Sequence, residues 1–109
     1  MSSPSVSILM PVRNAANTLR ETLESIQSQT LIDFELIAVN DGSDDDTSNI
    51  LHTYSTNDKR IKAVDIVNGG IIKALKHGLA LCQNNFVARM DADDLITTAF
   101  LLFLGILWQ

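Results

Sequence analysis

Cationic side chains are scarce in this chain of 109 residues: eight Lys and Arg stand against thirteen Asp and Glu, a formal charge of -5. That balance excludes a general nucleic-acid binder, which needs a basic face, and it means that any anionic ligand must be met by a cation or by local donors. Cysteine occurs once, at Cys82, so an intramolecular disulfide and a cysteine-rich zinc site are both excluded. Proline occurs twice and glycine five times, too few for a Pro- or Gly-rich linker, and no repeat at solenoid periods is present. Long apolar runs are missing as well. The uncharged stretch over residues 95–109 falls short of the about 20 residues that a spanning helix needs. No basic segment followed by an apolar run and a cleavage site opens the sequence. The expected location is the cytoplasm, with the apolar tail allowing a peripheral position at the inner face of the membrane.

What is present describes one small globular domain: a hydrophobic fraction of 46% with a charged fraction of 19% supplies a core and rules out disorder. Val6 to Val12 is a nearly continuous apolar run, the pattern of a strand buried on both faces, and Pro11, which cannot donate to a ladder, marks its carboxyl end. From about Ala16 to Gln29, Leu19, Leu23 and Ile26 recur at helical spacing, with Asn14 or Asn17 as the expected cap. Phe34 to Val39 is a second strand. It ends in Asn40-Asp41-Gly42-Ser43 and a run of acids that complements the start of a helix carrying Ile50, Leu51 and Tyr54. Ile61 to Val67 is a third strand, and Asn68-Gly69-Gly70 then opens a helix whose apolar stripe runs through Ile71 or Ile72, Leu75, Leu79 and Cys82. Phe86 to Met90 is the fourth. His52 and His77 are read as surface residues of their helices.

Four strands alternating with three helices imply a parallel, doubly wound α/β sheet. Ligands bind such sheets beyond the carboxyl ends of the strands. Arg13-Asn14, Asp41, Asn68-Gly69-Gly70 and the Asp91-Ala92-Asp93-Asp94 cluster each follow one strand, so all four fall on that edge. Three carboxylates in four positions repel one another unless solvent, helix amides or a cation compensates. A hard divalent ion, Mg²⁺ or Mn²⁺, is held by one or two carboxylates and leaves room for phosphate oxygens. The plainer alternative is that Asp93 or Asp94 caps a helix beginning near Thr97.

Val6-Ser7-Ile8-Leu9-Met10-Pro11-Val12-Arg13-Asn14, the segment from Gln29-Thr30 to Phe34-Glu35-Leu36-Ile37, Asn40-Asp41-Gly42-Ser43, Asn68-Gly69-Gly70 and Ala88-Arg89-Met90-Asp91-Ala92-Asp93-Asp94 together resemble the family 2 glycosyltransferases of the GT-A fold, over residues 5 to 96. The resemblance implies a Rossmann-like GT-A half-domain over residues 1–96, its parallel sheet ordered 3-2-1-4 with flanking helices, and an apolar C-terminal helix over residues 97–109. It implies a nucleotide-diphospho-sugar donor, with Pro11, Val12, Arg13 and Asn14 lining the base. Arg13 stands where the family usually has an aromatic residue, and its guanidinium plane can stack in that role. Asp41 matches the aspartate that accepts a base N–H. Asp91 and Asp93, flanking Ala92, match the ribose and metal positions, with Asp93 the first choice for Mn²⁺ or Mg²⁺ and Asp94 a second ligand. Lys73 occupies the region near the phosphates, where Lys76 is a further candidate.

The family continues for another half that carries the acceptor site and the general base, so the expected partners are the donor and a saccharide or lipid-linked acceptor, and no base is assigned here. The competing reading is a truncated, catalytically incomplete module that holds a nucleotide or self-associates as a homodimer through its apolar C-terminal helix.

Overall fold

The computed structural model describes residues 6–28, 33–67, 69–84 and 87–91. Seven elements alternate in order: β1 (Val6–Val12), α1 (Ala16–Gln27), β2 (Phe34–Asp41), α2 (Thr47–Asn57), β3 (Ile61–Ile66), α3 (Ile71–Leu79) and β4 (Val87–Arg89). The strands form one sheet in the order β3-β2-β1-β4, with every neighbouring pair parallel. This is the α/β order expected from the sequence. Register places Pro11 beside Val39 and Val12 beside Asn40, so the carboxyl ends of β1 and β2 finish level.

Strand periodicity divides the core between two faces. Ile8, Met10 and Val12 of β1 join Leu36 and Ala38 of β2 under Leu19, Leu23 and Ile26 of α1 and Ile50 and Leu51 of α2. On the other face Leu9, Ile37 and Val39 meet Ala74 of α3. Because β1 and β2 are covered on both sides, β2 is buried along its whole length, whereas β3 at the sheet edge is largely open. Each fully buried Leu or Ile contributes about 1.5–3 kcal/mol, which makes the α1 face the main anchor.

Two local expectations are corrected. Neither Asn14 nor Asn17 caps α1; Ala15 holds the cap position with no side-chain cap bond. The free amides are met from the start of α2 and the loop before it, where Thr47 Oγ1 accepts the Ala15 N–H at 2.9 Å and Asp45 Oδ2 accepts the Ala16 N–H at 3.2 Å. The cap is tertiary, so a local rule could not locate it.

The second correction concerns α3. The expected stripe of Ile71 or Ile72, Leu75, Leu79 and Cys82 forms only in part: Leu75 and Cys82 pack partly buried against the second core, whereas Ile71, Ile72 and Leu79 are exposed and the fully buried positions of the helix are Ala74 and Gly78. A Cβ on Gly78 would lie 2.3 Å from Leu9 Cδ1 and 2.8 Å from Val39 Cγ2, so the helix sits too close to the sheet for a larger residue there. The close approach leaves two large side chains of the helix outward: Ile72 is 65% exposed and Leu79 54%. Cys82 lies beyond the end of α3, half-buried, with its Sγ donating to the Gly78 carbonyl.

At the opposite end of the sheet from the strand termini a buried carboxylate gathers the chain. Glu35 accepts from Ser7 Oγ at 2.6 Å and from the Gln83 N–H at 2.7 Å, and pairs with Lys62 Nζ at 3.1 Å. Burial alone would raise its pKa, but the bonds from Ser7, Gln83 and Lys62 together hold it below the ordinary range. Among the described residues no helix is long and apolar enough to cross a membrane.

Candidate functional site

A cleft of about 530 Å³ opens beyond the carboxyl ends of β1, β2 and β4, the position that a doubly wound sheet reserves for ligands. Its walls are the segment after β1 from Pro11 to Ala15, Asp41 at the end of β2, Gly70, Ile71 and Ala74 at the start of α3, and Asp91 after β4. Pro11, Val12, Arg13, Asn14, Asp41 and Asp91 therefore line one cleft although 80 positions separate the first from the last (91 − 11). Lys73 is not among the lining residues; its stem folds back across Gly69. Asn68, Ala92, Asp93 and Asp94 lie outside the described residues, as does the expected helix over residues 97–109.

Asp41 is the buried acid of the cleft, 5% exposed. Its Oδ1 accepts the Gly69 N–H at 2.8 Å and its Oδ2 accepts the Gly70 N–H at 3.0 Å. Both bonds are charge-assisted, and each oxygen keeps a further lone pair. Gly70 adopts φ 88, a conformation that a Cβ disfavours, and α3 begins at the next residue. The carboxylate thereby sets where the helix starts and where Ile71 and Ala74 meet the cleft.

Asn14 is the one described residue other than glycine with a positive φ, at 50. Asn tolerates this region better than most residues, at a cost of roughly 1 kcal/mol. Two loop contacts hold it: Ser43 Oγ accepts the Asn14 N–H at 3.0 Å, and Asn14 Oδ1 accepts the Asp44 N–H at 2.7 Å. Across the cleft, Asp91 is 55% exposed and pairs with Arg89 Nη2 at 3.3 Å.

Among the described residues no group of three or more His, Cys, Asp or Glu could hold a metal ion. The donor chemistry still suits a hard cation in one respect: Asp91 brings carboxylate oxygens to the cleft wall in reach of solvent. Asp41, already shared between two backbone amides, is less available.

Sequence reasoning missed the groups that brace the cleft from behind, namely Asp45, Thr47, Asp65 and His52. Their partners are set by tertiary contact, and no spacing in the sequence announces them.

A parallel α/β sheet with a cleft at its strand carboxyl ends is a doubly wound architecture, the class in which ligands bind at that edge. More specifically, the chain belongs to glycosyl transferase family 2, whose family model matches residues 7–102. It is 34% identical over 96 residues to the uncharacterised glycosyltransferase EpsJ of Bacillus subtilis (strain 168), a match covering 88% of this chain and 28% of that protein. It is similar to the crystal structure of S. aureus TarS 1-349 in complex with UDP-GlcNAc, with a TM-score of 0.81 and 28% identity over 93% of this chain and 30% of that one. Its fold is also that of the mannosyltransferase PcManGT from Pyrobaculum calidifontis in complex with GDP-Man and Mn²⁺, with a TM-score of 0.79 and 22% identity over 98% of this chain and 32% of that one. The chain thus spans about three-tenths of the length of these proteins.

Proposed function

We propose that this chain is the nucleotide-diphospho-sugar-binding part of a glycosyltransferase that moves a sugar, with inversion, from a UDP-linked donor to a saccharide or lipid-linked acceptor. The observation that carries the reading is the meeting of Arg13, Asn14, Asp41, Gly70 and Asp91 around one cleft. The TarS complex with UDP-GlcNAc supports a uridine donor. In this reading Arg13 stacks on the base, Asp41 uses its remaining lone pair on a base N–H, and Asp91 accepts from the ribose hydroxyls.

Asp93, with Asp91 and Asp94, is proposed to hold Mn²⁺ or Mg²⁺. When bound, such a cation would neutralise charge on the departing nucleoside diphosphate. Lys73 is proposed as a mobile cation for the phosphates, reaching forward from its position over Gly69. The general base and the acceptor site are assigned to sequence beyond this segment of the family, and the proposed location is the cytoplasm, with a peripheral position at the inner face of the membrane as the alternative.

Calorimetric titration of UDP with and without Mn²⁺, on wild type and Asp93→Ala, tests the reading. It requires binding that strengthens about tenfold or more with metal and loses that gain in the variant; equal affinity in all four titrations contradicts it. The exposed apolar face of α3 favours a second reading, self-association as a homodimer with the apolar residues 97–109 in the contact.

A further inference from the structure

Asn40 is 4% exposed, an amide buried with both ends committed. Its Nδ2 donates to Asp65 Oδ1 at 3.0 Å, and its Oδ1 accepts from Ser43 Oγ at 2.5 Å. Ser43 Oγ in turn accepts the Asn14 N–H, so one hydroxyl gives one bond and receives another. At the outer end Asp65 Oδ2 meets His52 Nε2 at 2.7 Å. Burial would raise the Asp65 carboxyl, yet the bonds from His52 and Asn40 outweigh it and lower its pKa. An ionised Asp65 can only accept, which fixes the direction of every bond: His52 and Asn40 donate to it, Ser43 donates to Asn40, and Asn14 donates to Ser43. The ladder runs from the solvent side of α2, across the β2–β3 register pair Asn40 and Asp65, to the positive-φ residue on the cleft wall.

We propose that Asn40 and Ser43, with Asp65 behind them, are positioning residues that hold the Asn14 segment in its ligand-ready shape and so set affinity for the nucleoside diphosphate without touching it. The inference rests on the nucleotide reading above. A buried amide oriented by an ion on one side and a hydroxyl on the other has a single low-energy rotamer. A carboxylate in place of the Asn40 amide faces Asp65 with like charge, whereas exchanging the two residues restores a donor opposite an acceptor at the same register.

The test compares Asn40→Asp, Ser43→Ala and the exchange Asn40→Asp with Asp65→Asn in the full chain. Two readouts are taken: the Asn14 backbone amide in a nitrogen–proton correlation spectrum without ligand, and UDP affinity by calorimetry. The expected result is a displaced Asn14 resonance and about fivefold weaker UDP binding in each of the first two, with both returning to within about twofold of wild type in the exchange. Ser43→Ala, on the loop and outside both cores, keeps the test open if Asn40→Asp fails to fold. An unmoved Asn14 resonance in the single variants overturns the proposal, and so does a moved resonance with unchanged UDP affinity. Wild type that binds no UDP overturns the nucleotide reading instead, and the Asn14 resonance then still decides whether the ladder positions that segment.

Discussion

Asn40 and Asp41 are consecutive on β2 yet fasten opposite walls of the cleft: Asn40 ties the Ser43 loop to β3, while Asp41 ties the Gly69-Gly70 turn to the start of α3. Strand alternation produces this division, because successive side chains leave opposite faces of a sheet. The cleft is therefore only as well formed as the last two residues of one buried strand.

Asp41→Ala should loosen the second wall before it harms the core. The variant loses two charge-assisted bonds to the Gly69 and Gly70 amides, a destabilisation of about 1–3 kcal/mol. Urea unfolding with an unchanged slope and a lower midpoint is the expected outcome, with amide exchange accelerated first at the start of α3.

Gly78→Ala sets two opposing effects against each other. Alanine is favoured over glycine in a helix by about 1 kcal/mol, but the added Cβ meets Leu9 and the stiff Val39 side chain at 2.3 and 2.8 Å, and overpacking costs about 1–3 kcal/mol. Overpacking should win, with a net loss of stability in denaturant. A gain would mean that α3 can lift from the sheet at no cost.

Two carboxyls whose pKa values are lowered give the protein an acid limb. Glu35 contributes fully above its ordinary value of 4.5, and that contribution disappears as pH falls through the lowered value. Asp58, hydrogen-bonded by the Arg60 side chain and held at about 2 against an ordinary 3.8, loses its share lower still. Because Arg60 is partly exposed, the Asp58 share is about 1 kcal/mol after solvent screening. Stability should therefore fall from about pH 4.5 downward, in urea titrations at stepped pH. Glu35→Gln should be less stable at neutral pH and should flatten the upper part of that fall, leaving the Asp58 part in place.

The outward α3 face should govern association. Replacing Ile72 and Leu79 with Lys removes two apolar side chains that are more than half exposed and introduces like charges on each copy. Light scattering at rising concentration should show less oligomer than wild type, and a wild type that stays monomeric throughout would remove the homodimer reading.

The sheet was legible in the sequence because buried parallel strands are written as short apolar runs, and β1 and β2 are nearly uninterrupted ones. The edge carrying the site was legible for the same reason: Asn14 and Asp91 follow a strand and Asp41 ends one, and topology alone brings strand ends together. The buried face of α3 was not, since Ile72 and Leu79 look like core until the helix-to-sheet distance set by Gly78 is known. Partners for Asp41, the tertiary caps supplied by Asp45 and Thr47, and the contact between His52 and Asp65 depend on neighbours more than ten positions away. Periodicity carries no trace of such pairs.

The central claim is that Asn14, Asp41 and Asp91 wall a single nucleotide cleft, and the most direct measurement of it is chemical-shift mapping as UDP and Mn²⁺ are added to the labelled protein. Saturating shifts are expected at Asn14, Gly70 and Asp91, with Ser7, Glu35 and Gln83 at the far end of the sheet unmoved. Shifts centred on Glu35 and Gln83, or none at the strand carboxyl ends at saturating ligand, would contradict it.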